Sequence, residues 1–171
     1  MLFRPVRGCR IAHAPTGAAG ATGPTGSFQS SFLFVWTTEE QTLPPTNGEG
    51  TAIAFANSEA AGTALSFTGP TDIGVLESGY YYISWDVYKT GYDSAFALFY
   101  DGAGGSGMVP GSNHGAMAHD EKYHGQAVSF LMAGGVLTLN RIDSLYYQSI
   151  LNEIGDRTLV VGASVVVMKI G

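Results

Sequence analysis

Charge is what this sequence has least of. Only 13% of its 171 residues are Asp, Glu, Lys or Arg, about half the ~25% usual for a soluble domain. Either other copies cover much of the surface, or the exposed face is made of Ser, Thr, Gly and Asn. Cations are scarcer still. Arg4, Arg7 and Arg10 crowd the first ten residues, which leaves five cations against fourteen acids from Ser27 onward. A folded part so strongly negative argues against a nucleic-acid partner. Cys9 is the only cysteine, which excludes an intrachain disulfide, a cysteine zinc cluster and a CxxC redox pair. No apolar run approaches the ~18 residues of a membrane span, so membrane insertion is not expected. Residues 1–15 carry arginines but no apolar core of about 7–15 residues, and no cleaved secretory signal is expected from them.

Catalytic signatures are equally sparse. GxSxG, GxxxxGK and HExxH do not occur. Gly102-Ala103-Gly104-Gly105-Ser106-Gly107 fits GxGxxG by letter, but Met108-Val109-Pro110-Gly111 follows instead of a helix, so no helix N-terminus is offered to a phosphate. Nothing places a serine on a strained turn beside a histidine, and the chain is not expected to be an enzyme. His114, His119 and His124 recur every five residues, with Asp120 and Glu121 between the last two. Imidazoles with carboxylates could hold Zn²⁺ or Ni²⁺, and the carboxylates alone could hold calcium; an exposed polar loop accounts for the same residues without a metal. No cofactor is otherwise indicated.

Glycine, by contrast, is abundant, with 24 residues, and four of them (Gly17, Gly20, Gly23 and Gly26) fall at period three. Pro24 follows a glycine directly, and Thr22 and Thr25 occupy the third position of their triplets. A collagen triple helix needs this arrangement, since only glycine fits where three polyproline-II chains meet. The plainer alternative is a flexible Gly/Ala/Thr linker. Residues 1–16 show no periodicity and read as a disordered tail or a cloning remnant, residues 17–26 as the end of a collagen-like stalk.

From residue 27 the texture changes to short apolar stretches between Gly-, Pro- and Asn-rich turns, as in a β-sandwich or jelly roll. Residues 28–37 open it. Phe28, Phe32, Phe34 and Trp36 share one parity and Leu33 and Val35 the other, so both faces of this strand are apolar, and the strand is buried within the domain or at a subunit contact. Short strands are predicted at 51–56 and 64–67. In residues 79–88, Tyr81, Ile83, Trp85 and Val87 form a core face, while Tyr80, Tyr82, Ser84, Asp86 and Tyr88 form a half-polar, tyrosine-rich face suited to water or a subunit interface. Further strands are predicted at 94–100, 126–132 and 136–140, with residues 102–125 as a long glycine-rich loop. The β-branched run 158–170 would sit centrally in a sheet. Tyr147, Ile150, Leu151 and Ile154 lie at helical spacing, yet a strand over 144–150 completes the sandwich better. Tyr80, Tyr82, Tyr88, Tyr92, Tyr146 and Tyr147 could make a sugar- or partner-binding surface, although burial explains them more simply.

A Gly-X-Y run leading into an all-β domain resembles the collagen-stalked complement-q/tumour-necrosis-factor-like jelly rolls. Within these, the chain looks like the collagen-like glycoproteins of the bacterial spore exosporium, the BclA type. The likeness rests on Gly23-Pro24-Thr25, on Gly79-Tyr80-Tyr81-Tyr82-Ile83-Ser84-Trp85, and on the terminal Gly162-Ala163-Ser164-Val165-Val166-Val167-Met168-Lys169-Ile170. It implies a ten-stranded jelly roll over residues 27–171 that forms a homotrimer, with the last strand central at the three-fold contact. Phe34, Trp36, Tyr80, Tyr82, Trp85, Val165 and Val167 become candidates for core or subunit interface, and Thr22 and Thr25 for O-linked sugar. The implied role is structural: the distal head of a spore-surface filament that drives trimerisation, with exosporium proteins and possible host-surface glycan or protein as partners. The stalk is very short, and residues 1–16 lack the family's anchoring segment. Two alternatives stay open, a trimeric glycan- or protein-binding head and a phage tail-fibre tip.

Overall fold

The computed structural model describes residues 31–117 and 122–171; the Gly-X-Y run with Thr22 and Thr25, and also His119, Asp120 and Glu121, lie outside the described residues. Alternation shapes the first strand, β1 (Phe32–Thr37): Leu33, Val35 and Thr37 are buried, and Phe32, Phe34 and Trp36 are only half covered. Turn residues then cut the chain into short pieces, β2 (Gln41–Leu43), β3 (Thr51–Ala52), β4 (Asn57–Ala61), β5 (Leu65–Phe67) and β6 (Ile73–Val75). The long strands follow: β7 (Gly79–Thr90), β8 (Ser94–Gly102), the short β9 (Gly105–Met108) and β10 (His114–Ala116), then β11 (Lys122–Leu131) and β12 (Gly135–Arg141). β13 (Gln148–Ile150), the ribbon β14 (Glu153–Ile154) and β15 (Thr158–Leu159), and β16 (Ala163–Lys169) complete the fold.

Ten of these strands form two layers, β4-β1-β16-β7-β11 and β5-β6-β12-β8-β10, every neighbouring pair antiparallel. β13 and β2 extend the first layer beyond Thr90, β9 pairs β8, and β3 pairs β12. This is the expected jelly roll, and no helix occurs among the described residues. Its core lies between the layers. Leu33, Val35, Tyr81, Ile83, Trp85, Val87, Val165 and Val167 come from the first sheet, and Ile73, Val75, Phe96, Leu98, Leu137 and Leu139 from the second. Trp85 is the largest of the fully buried side chains, its ring against Phe96 at 6.1 Å. Gly125 sits opposite it on β11, and a Cβ there would come within 2.3 Å of the indole. The glycine makes room for the tryptophan.

One ion pair is built into the protein's edge. Arg141 is fully buried and donates through Nε to Asp143 Oδ2 (3.0 Å), through Nη2 to Asp143 Oδ1 (2.6 Å) and through Nη1 to the Leu43 carbonyl (2.7 Å). Asp143 also accepts from Ser94 Oγ (2.6 Å) and the Ala95 amide (3.0 Å). Burial raises its pKa, but the Arg141 and Ser94 hydrogen bonds outweigh this and bring it down to about 2.

The structure departs from the predicted strands in several places: the strand expected at 51–56 narrows to Thr51–Ala52, and β2, β4 and β6 were not predicted as strands. The region expected as one loop, 102–125, contains β9, β10 and the start of β11. Glycine-rich edge strands carry no apolar alternation, and β9 is held to β8 by its backbone ladder together with the Ser106–Asp101 side-chain hydrogen bond. The terminal run 158–170 is divided: β15 pairs β14, and β16 begins only at Ala163. Gly162, between them, bonds to Thr37 and Tyr88 through its backbone and passes so close to Leu151 that a Cβ would meet its carbonyl at 2.0 Å. The strand predicted over 144–150 shrinks to Gln148–Ile150, locked between β2 and β7. The helical spacing beside it is accidental, since Tyr147 and Ile154 are exposed while Ile150 is buried.

Candidate assembly face

The outward side of the first sheet is built by parity. On β7, putting Tyr81, Ile83, Trp85 and Val87 in the core turns Tyr80, Tyr82, Ser84, Asp86 and Tyr88 outward. Register then aligns rows across the sheet. Phe32, Met168, Tyr82 and Val128 form one row, and Phe34, Val166, Ser84 and Gln126 the next. Trp36, Ser164, Asp86 and His124 make a third, and Tyr80 pairs with Phe130. Tyr80 meets Phe130 edge-on at 5.3 Å, and Phe34 stacks on Trp36 at 4.9 Å. Tyr80 remains 55% exposed, Val128 60% and Phe130 53%. Isolated exposed apolar residues are ordinary, but a contiguous set over adjacent strands marks an interaction surface.

The apolar rows give way to charge at one end. Asp86 Oδ2 lies 3.0 Å from Lys122 Nζ and its Oδ1 2.9 Å from His124 Nδ1, beside a hollow of about 360 Å³ lined by Phe34, Tyr88 and Val161 among others. All three groups are partly exposed, so in the isolated chain these contacts contribute at most about 1 kcal/mol each. Their value is directional, since they fix the polar end of an otherwise apolar face.

The seven core-or-interface candidates divide cleanly. Phe34, Trp36, Tyr80 and Tyr82 belong to the outward face, while Trp85, Val165 and Val167 are sealed inside the sandwich and cannot touch another subunit. Val128, Phe130 and Met168 join the outward group and escaped the sequence reading. Their signal was the one seen in β1: β11 carries apolar residues on both parities, Ala127 and Leu131 inward, Val128 and Phe130 outward. The two described histidines lie on different sheets. His114 sits on β10 with its ring edge-on to Trp85 at 5.9 Å, and His124 pairs with Asp86 on the first sheet. Among the described residues no group of three His, Cys, Asp or Glu is placed to hold a metal ion. The GxGxxG letters form the β8–β9 turn, with Gly105 and Gly107 at φ 117° and 151°. Of the tyrosines, Tyr92 and Tyr146 meet at 5.0 Å at one end of the sandwich, away from Tyr80 and Tyr82.

No protein-family model matches the chain, and no curated protein matches it by sequence. Solved structures do match in fold. Murine APRIL at pH 5.0 aligns with a TM-score of 0.57 and 10% identity over 83% of this chain and 100% of that one. Murine APRIL at pH 8.0 gives 0.56 and 14% over the same shares. The Eiger TNF from S. frugiperda gives 0.54 and 11% over 84% of this chain and 93% of that one. At such identities the likeness is one of fold: the chain has a jelly-roll fold like that of APRIL and the Eiger TNF.

Proposed function

We propose that this chain is the homotrimeric head of a collagen-like filament of the bacterial spore exosporium, acting by assembly rather than catalysis. The observation that carries the assembly part is the outward face of β1, β16, β7 and β11, where Tyr80, Val128 and Phe130 are each more than half exposed. A face of this kind is stable in water when a second copy covers it, and closed three-fold symmetry covers it on every copy without leaving an open end. The Gly-X-Y run ahead of the domain supports the same arrangement, because a short triple helix needs a head that trimerises first and registers the three chains. The spore surface is supported by Gly23-Pro24-Thr25 and by the strand motifs around Tyr81 and Val166. Thr22 and Thr25 would carry the stalk sugar, and the head would meet host surfaces at the filament tip.

Light scattering on the full chain tests the assembly. A mass three times the 17.9 kDa chain mass is expected, and a monomer at all concentrations overturns the reading. Immunogold labelling of sporulating source cells tests the location, with label on the outermost spore layer as the expected result. A trimeric glycan- or protein-binding head is the second reading, and a groove of about 470 Å³ on the second sheet, lined by Glu49, Asp72, Asp101 and Asn140 among others, favours it.

A further inference from the structure

The loop between β2 and β3 carries the only Asn-Gly pair of the chain, Asn47-Gly48. Both of its flanks are tied to the body of the protein. The Thr46 amide donates to the Asp143 carbonyl (3.1 Å), and the Glu49 carbonyl accepts from Asn140 Nδ2 (2.7 Å). Gly50 then passes so close to β12 that a Cβ there would meet the Arg141 carbonyl at 1.7 Å. Between these anchors the tip stands out in water, with Asn47, Gly48 and Glu49 all exposed.

Two features set the pair apart. The first is the state of its polar groups. Thr46 Oγ1 reaches the Asn47 carbonyl at 3.5 Å, but among the described residues neither the Asn47 side chain nor the Gly48 amide takes part in a hydrogen bond. The second is Gly48 itself, at φ 78° with open space where a Cβ would stand. A glycine has no side chain to screen its nitrogen, and its backbone turns freely. No other asparagine has such a neighbour. Asn57 precedes Ser58 in β4, Asn113 precedes His114 at the start of β10, Asn140 precedes Arg141 in β12, and Asn152 precedes Glu153 at the start of β14. Each of those following residues carries a side chain and is fixed in a strand ladder.

We propose that Asn47 is a site of spontaneous, irreversible modification, in which the Gly48 amide nitrogen attacks Asn47 Cγ. The N–Cγ bond forms as the Gly48 amide proton passes to hydroxide, and the Cγ–Nδ2 bond breaks as ammonia leaves. The product is a five-membered succinimide. Water adds to either of its carbonyls and opens it to aspartate or isoaspartate, so no oxidant or cofactor enters the balance. Glu49 on the loop and the Arg141–Asp143 pair beneath it are the charged groups against the turn, and the reaction uses none of them as base. The outcome is a new carboxylate beside Glu49, which lines the second-sheet groove. Isoaspartate also inserts one methylene into the backbone between the Thr46 and Glu49 anchors. The β2–β3 loop has no part in the outward face of β1, β16, β7 and β11, so the test does not depend on the oligomeric state.

Incubation of the full chain in neutral and in mildly alkaline buffer, followed by peptide mass spectrometry, tests this. Conversion at Asn47 is expected to run at least about tenfold faster than at Asn57, Asn113, Asn140 or Asn152, because only Asn47 is followed by a residue without a side chain. The rate should rise in proportion to hydroxide concentration, and labelling by an isoaspartyl methyltransferase should grow with the mass change. Asn47→Gln needs a six-membered ring for the same attack and keeps an uncharged amide in open solvent. It should stay unmodified over the same time, with its melting temperature unchanged. Conversion of another asparagine before Asn47, a rate indifferent to pH, or equal isoaspartate labelling of the Asn47→Gln variant overturns the proposal.

Discussion

Replacing Phe130 by serine should dissolve the proposed trimer while leaving the fold of each chain intact. Phe130 projects from β11 on the outward face and is 53% exposed. An aromatic side chain offers roughly 200 Å², so about 100 Å² is available for a neighbour to cover. At ~25 cal/mol per Å² this is about 2.5 kcal/mol per chain, and three symmetric copies raise it to about 7.5 kcal/mol per trimer. At 1.4 kcal/mol per decade the trimer dissociation constant rises by about five decades. That constant has units of concentration squared, so the midpoint concentration of dissociation moves by its square root, a few hundred-fold. The edge contact with Tyr80 exists within each chain and cancels. Part of the covered area is offset by side-chain ordering at the interface, so the figure is an upper one. Sedimentation velocity across a dilution series measures the midpoint directly. A variant that stays trimeric at the same dilution as the parent refutes the argument, because one of the two most exposed aromatics of the face would then be idle.

Three further outcomes follow from the packing. Asp143→Asn should lower stability by about 3–5 kcal/mol in urea unfolding, because it leaves the buried Arg141 guanidinium without its counter-charge. Since the folded pKa of Asp143 is depressed to about 2 from 3.8, its contribution is fully present above the unfolded value and lost as pH falls through the folded one; the parent should lose stability between about pH 4 and 2, and the variant should lack that part of the loss. Gly125→Ala drives a methyl into the Trp85 indole and should cost about 1–3 kcal/mol, read as a lower melting temperature and altered tryptophan fluorescence. Tyr81, buried and donating to the Glu77 carbonyl at 2.6 Å, has its pKa pushed up by burial and then by the Glu77 charge; its stabilisation is present below the ordinary tyrosine value and lost as pH climbs through the raised one, so near-ultraviolet titration should show one fewer early phenolate in the parent than in a urea-unfolded sample.

Legibility in the sequence varied with where the hydrophobic signal lay. The faces of β7 could be read over residues 79–88, although the strand runs on to Thr90, because there one parity is apolar apart from the Tyr81 hydroxyl and the other is interrupted by Ser84 and Asp86. β1 and β16 were harder, since both parities are apolar. Parity then yields two sets without saying which meets the core, and the choice rests on register with β7, a long-range pairing with no local mark. Hence Val165 and Val167 shared a list with Phe34 and Trp36, although they point to opposite sides. β9 and β10 could not be seen at all, being edge strands of small residues held by backbone bonds.

The two outward faces also explain the low charge fraction. On the first sheet, tyrosine, phenylalanine and valine stand where a monomer would place Lys and Glu, and the Asp86, Lys122 and His124 cluster sits at one end of the face. On the second, the groove residues come from separate turns: Glu49 before β3, Asp72 before β6, Asp101 at the end of β8. Each is unremarkable in its local sequence, and only the stacking of β6, β12 and β8 gathers them over Asn140. Apolar side chains suffice to specify an assembly surface because burial is roughly additive over area. A groove of mixed side chains depends on which turns the strand order brings together, which is a property of topology and not of any stretch of chain.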